Sequence, residues 1–230
     1  MTRRLALLLL LAFALPARAQ PVPLTSEEGH TRFARAAAGP ASLSLLANLE
    51  TEIYLTFCGP ASLATVLNSL GLREPAAAVF HPHRRITQDS LFTPANLAVK
   101  SYSAVQIAGL SLDQLAQFAA NLGVTAEATH ADAMSLDALR GILRATLTDP
   151  ARRVVLNYSR IPLGQDGDGH ISPAAAYDQL SDSVLILDVA RYKYPPVWVP
   201  VEMLHAALLR VDADSYRPRG LLVLAALTRP

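Results

Sequence analysis

Cys58 is the single cysteine in 230 residues, and that scarcity excludes an internal disulfide framework. The chain also lacks an excess of charge of either sign, with 20 Lys and Arg against 19 Asp and Glu. Such a balance gives no reason to expect nucleic acid or an acidic membrane as a partner. No long hydrophobic run is present either. The apolar stretch from Leu5 to Leu15 falls short of the roughly 20 residues that span a bilayer. Preceded by Arg3 and Arg4 and followed by Ala17-Arg18-Ala19, it reads as a secretory signal peptide over residues 1–19. No cysteine stands just after the apolar run, so lipoprotein anchoring is not supported. Without Arg3, Arg4 and Arg18 the chain is slightly acidic, and its expected compartment is periplasmic or extracellular. There, cysteines usually occur in pairs as disulfides. An unpaired one is either an incidental buried residue or a reactive thiol.

Internal repeats, low-complexity tracts and linkers are absent too, so residues 20–230 are expected to form one domain. Gln20 to Gly29 reads as an extended arm, and Ala34 to Asn48, around Pro40, as two short helices or a loop leading into one. Cys58 to Leu70 is apolar nearly all round, the mark of a buried helix. Pro60 suits its first turn and Gly71 its end. His81 to Asn96 lacks periodicity and reads as a structured loop. Ser111 to Leu122 is an amphipathic helix with Ser111 and Gln114 spaced as a capping box. Val124 to Thr129 fits a short strand and Ser135 to Thr146 a capped helix. Four apolar, β-compatible runs then follow: Arg153 to Tyr158, His170 to Tyr177, Val184 to Val189 and Gly220 to Ala226. A helix over Met203 to Val211 is expected between the last two. Helices first and strands later is an α+β pattern.

Cys58 opens the buried helix, where the positive end of the helix dipole favours a thiolate. A nucleophilic cysteine needs a base, and the base needs a third group to orient its ring. His170 follows the glycine-rich loop 164–169 and opens a strand, and Asp188 lies at the end of the next. A hairpin centred near residues 180–181 places His170 opposite residue 190 or 191, with Asp188 within about two positions, close enough for diagonal contact. A bulged or wider loop shifts that register. The other histidines are weaker candidates. His81 and His83 lie in a basic loop without a third metal ligand, and His30, His130 and His205 have no acidic orienter nearby in sequence.

The segment FCGPASLATVLNSLGL resembles the nucleophile segment of the phytochelatin synthases, papain-like enzymes acting on glutathione. DGHISPAAAYD resembles their histidine segment and LILDVARYKYPPVWV their aspartate segment; ITQDSLF and GLSLDQL resemble intervening stretches. CGPAS before a helix is shared by other papain-like families, whereas the run from Asp188 to Val199 is far more distinctive. The likeness covers residues 50 to 226. It implies a papain-like α+β fold, with a helical lobe carrying the nucleophile and an antiparallel sheet lobe carrying the base and its orienter. It implies Cys58 as nucleophile, His170 as base and Asp188 as orienter. The implied reaction is attack on the Cys–Gly amide of glutathione, loss of glycine, and transfer of the γ-glutamylcysteinyl group to water or to a second glutathione. Asn157, Arg160, Arg191 and Arg219 are the implied substrate-binding residues. Arginine suits the carboxylates of glutathione because its planar fork binds them bidentately. Tyr192, Tyr194 and Trp198 are read as packing around the aspartate segment.

The chain also departs from that pattern. No cysteine-rich C-terminal extension follows, as in the short bacterial members, where glycine removal dominates over polymer formation. The family places a glutamine six residues before the cysteine as an oxyanion donor; here Glu52 stands there. An ionised carboxylate cannot donate a hydrogen bond, so lower activity is expected unless Glu52 is protonated or turns away. No protein metal site is assigned and no cofactor is required. Cadmium or zinc ions are expected to act, if at all, through substrate thiolates, in keeping with a role in heavy-metal detoxification. Expected partners are glutathione or related γ-glutamyl thiol peptides, and a second copy in a homodimer. Two alternatives stay open: a papain-like peptidase or amidase acting on other peptides, and a non-catalytic module that holds a thiol or a metal.

Overall fold

The computed structural model describes residues 20–36 and 39–226; the signal peptide expected over residues 1–19 lies outside them. The frame is a seven-stranded sheet in the order β1-β6-β5-β4-β3-β7-β2, with every neighbouring pair antiparallel. Its strands are β1 (Val22–Pro23), β2 (Val124–His130), β3 (Arg152–Ser159), β4 (Gly169–Asp178), β5 (Ser183–Ile186), β6 (Val197–Pro200) and β7 (Gly220–Ala226). The helices are α1 (Glu27–Arg35), α2 (Pro40–Ala47), α3 (Cys58–Ser69), α4 (Pro94–Val99), α5 (Tyr102–Ala108), α6 (Leu112–Asn121), α7 (Leu136–Leu147) and α8 (Val201–Leu208). The expected α+β class with an antiparallel sheet is what forms.

The sheet is covered on both faces, which explains why its strands read as unbroken apolar runs. Val155, Leu185, Trp198, Leu222 and Leu224 point to one side, into a core shared with α2, α3 and α6. Their sequence neighbours Val154, Leu156, Val184, Ile186, Val197, Leu221 and Val223 point to the other, against α7 and α8. Period-two side-chain alternation thus feeds two cores at once. The sheet lobe is therefore backed by α7 and α8.

Helix α3 lies across the first face and is buried along its length from Gly59 to Ser69. It contacts β4 directly: Ser62 Oγ donates to the Ile171 carbonyl at 3.0 Å. Gly71 follows with φ +80°, the left-handed conformation that stops a helix and favours glycine. The capping box on α6 is present, with Ser111 and Gln114 bonded reciprocally, and Ser135 caps α7.

Several expected boundaries shift. The arm ends early, because Glu27 starts α1 with Ser26 as its side-chain cap. Helices α4 and α5 were not expected; each is short and begins at a hydroxyl cap, Thr93 or Ser101. Strand β6 was not expected either, because Pro195-Pro196 and Pro200 bracket it and mask its β character. β5 ends at Ile186, so Asp188 stands just beyond the strand.

Candidate active site

The β4–β5 hairpin decides where the histidine and the aspartate meet. Asp178 pairs with Ser183 and Tyr177 with Val184, which centres the turn between residues 180 and 181 as expected. A register shift between Ala174 and Ala176 then gives β4 one extra residue, so that Ala174 faces Ile186 rather than Leu187. Asp188 passes Ser172 and reaches back to His170, whose Nε2 lies 2.9 Å from Asp188 Oδ1. An ionised carboxylate only accepts hydrogen bonds, so Nε2 carries the proton and Nδ1 is left as the base. The Ala190 N–H also donates to Oδ1 at 2.8 Å and fixes the carboxylate.

Arg160 completes this buried group. Its guanidinium grips both oxygens of Asp188, at 2.7 and 3.0 Å. It lies over the Tyr194 ring, 4.9 Å from the centroid, and donates to Gln165. Arg160 and Asp188 are 4% and 0% exposed, so the pair is closed to solvent. Burial raises the Asp188 carboxyl, but hydrogen bonds from His170 and Arg160 outweigh it and hold the group below the usual carboxylate range. Burial lowers the His170 imidazole and outweighs the Asp188 hydrogen bond. The structure thus gives Arg160 a role that its position in the sequence did not suggest: it orients Asp188.

Cys58 stands at the first turn of α3, where backbone N–H groups lack intrahelical partners. An aromatic cluster anchors that turn, with Phe57 fully buried against Tyr54, Phe92 and Tyr102. Ligand-type atoms of Cys58, His170 and Glu52 all lie within 4.8 Å of one another. Cys58, His170 and Asp188 are therefore brought together in the expected order. Burial pushes the Cys58 thiol up to about 12, the Glu52 charge adds to that, and backbone N–H groups of Ile171 and Gly59 oppose it. Burial thus favours the thiol at Cys58 over the thiolate expected from the helix end, and the uncharged form of His170.

Glu52 is held as firmly as the triad. Its N–H donates to the Val189 carbonyl at 3.0 Å. Gln88 brackets the same loop, accepting from the Ile53 N–H and donating to the Thr51 carbonyl. Glu52 Oε1 accepts from the Tyr192 hydroxyl, while Oε2 is buried without a partner. Burial raises the Glu52 carboxyl, Tyr192 opposes that, and the Asp188 charge adds to it.

A cleft of about 280 Å³ opens beside the sulfur, lined by Cys58, His170, Asn157, Asp168, Asp212, Asp214 and Arg219 among others. Arg219 Nη1 donates to Asn157 Oδ1 at 3.0 Å and lies 3.5 Å from Asp212; its Nε is buried and unpartnered. Gly169 makes room for that guanidinium, since a Cβ there would lie 2.6 Å from Nη1. Asn157 and Arg219, two of the expected substrate-binding residues, therefore line this cleft. Arg191 is exposed and is not among the residues that line this cleft. Asp168 and Asp212 reach Arg219, at 3.7 and 3.5 Å, from the segments that precede β4 and β7; Asp212 had no motif to mark it. His130 also differs from expectation, since Asp113 lies 3.0 Å from its Nε2. That pair is remote in role, because neither residue lines the cleft.

The family model described as phytochelatin synthase matches residues 12–221. The chain belongs to the phytochelatin synthase family. Among its relatives, glutathione gamma-glutamylcysteinyltransferase 1 of Lotus japonicus is 33% identical over 181 residues, covering 79% of this chain and 35% of the relative. Glutathione gamma-glutamylcysteinyltransferase 2 of Arabidopsis thaliana is 33% identical over 79% of this chain and 39% of its own length. The Schizosaccharomyces pombe enzyme of the same name is 29% identical over 81% and 44%. The chain thus spans well under half the length of these relatives. Among solved structures, the peptidase domain of Streptococcus ComA aligns with a TM-score of 0.48 at 14% identity, covering 78% of this chain and 98% of that one. In this phytochelatin synthase family member, the segments CGPAS, DGHIS and LILDVARYKYPPVWV supply Cys58, His170 and Asp188 of one cluster. Among the described residues, no helix is long and apolar enough to cross a membrane.

Proposed function

We propose that the chain is a thiol-dependent acyltransferase that acts on glutathione. The observation that carries this reading is the Cys58–His170–Asp188 cluster at the edge of a cleft that presents the Arg219 guanidinium. The names of the relatives, glutathione gamma-glutamylcysteinyltransferases, supply the substrate class.

Cys58 Sγ attacks the carbonyl carbon of the Cys–Gly amide, and His170 Nδ1 takes the thiol proton. The tetrahedral oxyanion forms beside the first turn of α3, whose free N–H groups favour negative charge. His170 then gives its proton to the glycine nitrogen. The C–N bond breaks, glycine leaves, and a γ-glutamylcysteinyl thioester remains on Cys58. His170 next takes a proton from water, giving γ-glutamylcysteine, or from the α-amino group of a second glutathione, giving a phytochelatin; that nucleophile attacks the thioester carbonyl, the C–S bond breaks, and the proton returns to Cys58. Asp188 and Arg160 hold the imidazole in one tautomer throughout. Arg219 suits the α-carboxylate of the γ-glutamyl end, and the neighbouring Asp212 suits its ammonium. No step uses a cofactor. Cadmium or zinc enters this route as the metal-bound thiolate of the substrate. The signal-like segment supports action outside the cytoplasm, where homodimers of the mature chain are expected.

The substrate class is tested by comparing glutathione with the α-linked tripeptide Glu-Cys-Gly. Glycine release is expected from the γ-linked peptide at least tenfold faster. Equal release from both would replace this reading with that of a general papain-like peptidase.

A further inference from the structure

The sulfur, the imidazole and the carboxylate of Cys58, His170 and Glu52 converge within 4.8 Å, and the triad chemistry uses only the first two. The carboxylate is the unexplained member. Glu52 is 7% exposed, and its Oε2 has no hydrogen-bond partner. A buried, unpaired carboxylate oxygen is costly, and nothing in acyl transfer compensates for it. A cation between the three groups would.

We infer that Glu52, Cys58 and His170 form a site for one borderline or soft divalent cation, with Zn²⁺ or Cd²⁺ as the fitting class, and that occupation blocks the nucleophile. The donor set is one sulfur, one nitrogen and one oxygen, with the cleft leaving a fourth position for water. Such mixed sets are typical of zinc. Zinc–ligand lengths of about 2.0–2.3 Å set neighbouring ligand atoms of a tetrahedral site about 3.5 Å apart. The donors therefore need to close by about 1.3 Å at most, within reach of side-chain rotation. On binding, the Cys58 thiol proton passes to water and an S–metal bond forms. Thiolate and carboxylate then balance the two positive charges, which a neutral amide at position 52 could not do. The departure that weakens the oxyanion site is thus the one that creates the cation site.

The surroundings are built for this. Asp188 accepts from His170 Nε2, the carboxylate–histidine arrangement that orients metal ligands. Gln88 and the Val189 carbonyl hold the Glu52 loop, and Tyr192 fixes Oε1 while Oε2 stays without a partner.

The test titrates the full chain with Zn²⁺ in competition with a chromophoric chelator, and with Co²⁺ to read thiolate–metal charge transfer. Cys58 is the sole cysteine, so that band reports one residue. The expected result is one site per chain that is lost in Cys58→Ala and weakened at least tenfold in Glu52→Gln. Zn²⁺ should also slow alkylation of Cys58 at least tenfold in the native chain, a reading that stands if Glu52→Gln fails to fold. Equal Zn²⁺ affinity in the native and Glu52→Gln chains would overturn the inference. So would a thiolate band that is absent, or alkylation that Zn²⁺ leaves unchanged. The inhibitory consequence rests on the acyl-transfer reading, whereas the binding does not. Absent binding with intact glycine release sinks only this site; intact binding without glycine release sinks only the acyl-transfer reading.

Discussion

Glu52 and Arg160 carry the least expected chemistry at the scale of single residues. Replacing Glu52 by Gln keeps the shape and puts an amide NH₂ where the unpartnered Oε2 now lies, while Oε1 still accepts from Tyr192. One well-placed oxyanion donor is worth on the order of 10²–10³ in rate. Glu52→Gln is therefore expected to raise glycine release at least tenfold at neutral pH, and a slower variant contradicts the assignment. The pH dependence follows from linkage. The folded Glu52 carboxyl is raised above its ordinary value, so its contribution to stability is present in acid and lost as pH rises through the folded value. Glu52→Gln should thus gain about 1–3 kcal/mol over the native chain at alkaline pH, the cost of an unsatisfied buried group, and nothing in acid. Denaturant unfolding at several pH values measures this. Arg160 acts through Asp188, so Arg160→Met should lower kcat strongly and leave KM within about threefold. A large rise in KM with unchanged kcat would return Arg160 to substrate binding. Asp188 shows the opposite linkage to Glu52. Its carboxyl is held low, so its stabilisation is present above the ordinary carboxylate range and lost as pH falls through the depressed value. Arg160→Met should move that loss to higher pH.

At the scale of elements, the site depends on one hairpin and one helix end. The sequence shows both: Gly59 to Ser69 is apolar enough to be buried on every side, and residues 178–183 are polar enough to turn. Gly169 shows how the start of β4 positions a substrate group. The nearest atoms to a methyl there are at the far end of the Arg219 side chain, at 2.6–2.9 Å. Gly169→Ala should therefore fold normally, with Tm within about 2 °C, and raise KM for glutathione about tenfold or more as Arg219 is displaced. An unchanged KM would remove Arg219 from the binding cleft. Other features were not legible. The register shift near Ala175 has no sequence marker, yet it sets which residue reaches His170. Helices α4 and α5 are too short for periodicity to show, and β6 lies among prolines. Of the acidic partners of Arg219, Asp168 comes from the distant segment before β4 and Asp212 from the segment before β7. Arg160 stands 28 residues from Asp188, and no local pattern announces that pairing.

For the whole molecule, three layers explain why a single unpaired thiol can be kept in place. Two cores, on opposite faces of one antiparallel sheet, hold β4 rigid, and α3 is clamped between β4, α2 and α6. Cys58 sits where the helical layer ends, and His170 and Asp188 sit at one end of the β4–β5 hairpin. Cleft and triad therefore share one edge of the sheet, and the second core behind β3 and β4 supports them without touching substrate. The central claim is that Cys58 carries the acyl group in glutathione cleavage. Rapid acid quenching after mixing the mature chain with glutathione, followed by peptide mass mapping, tests it most directly. The expected result is a γ-glutamylcysteinyl adduct on Cys58 with matching free glycine, both lost in Cys58→Ala. A chain that releases no glycine, or that releases it undiminished after Cys58→Ala, would contradict the account.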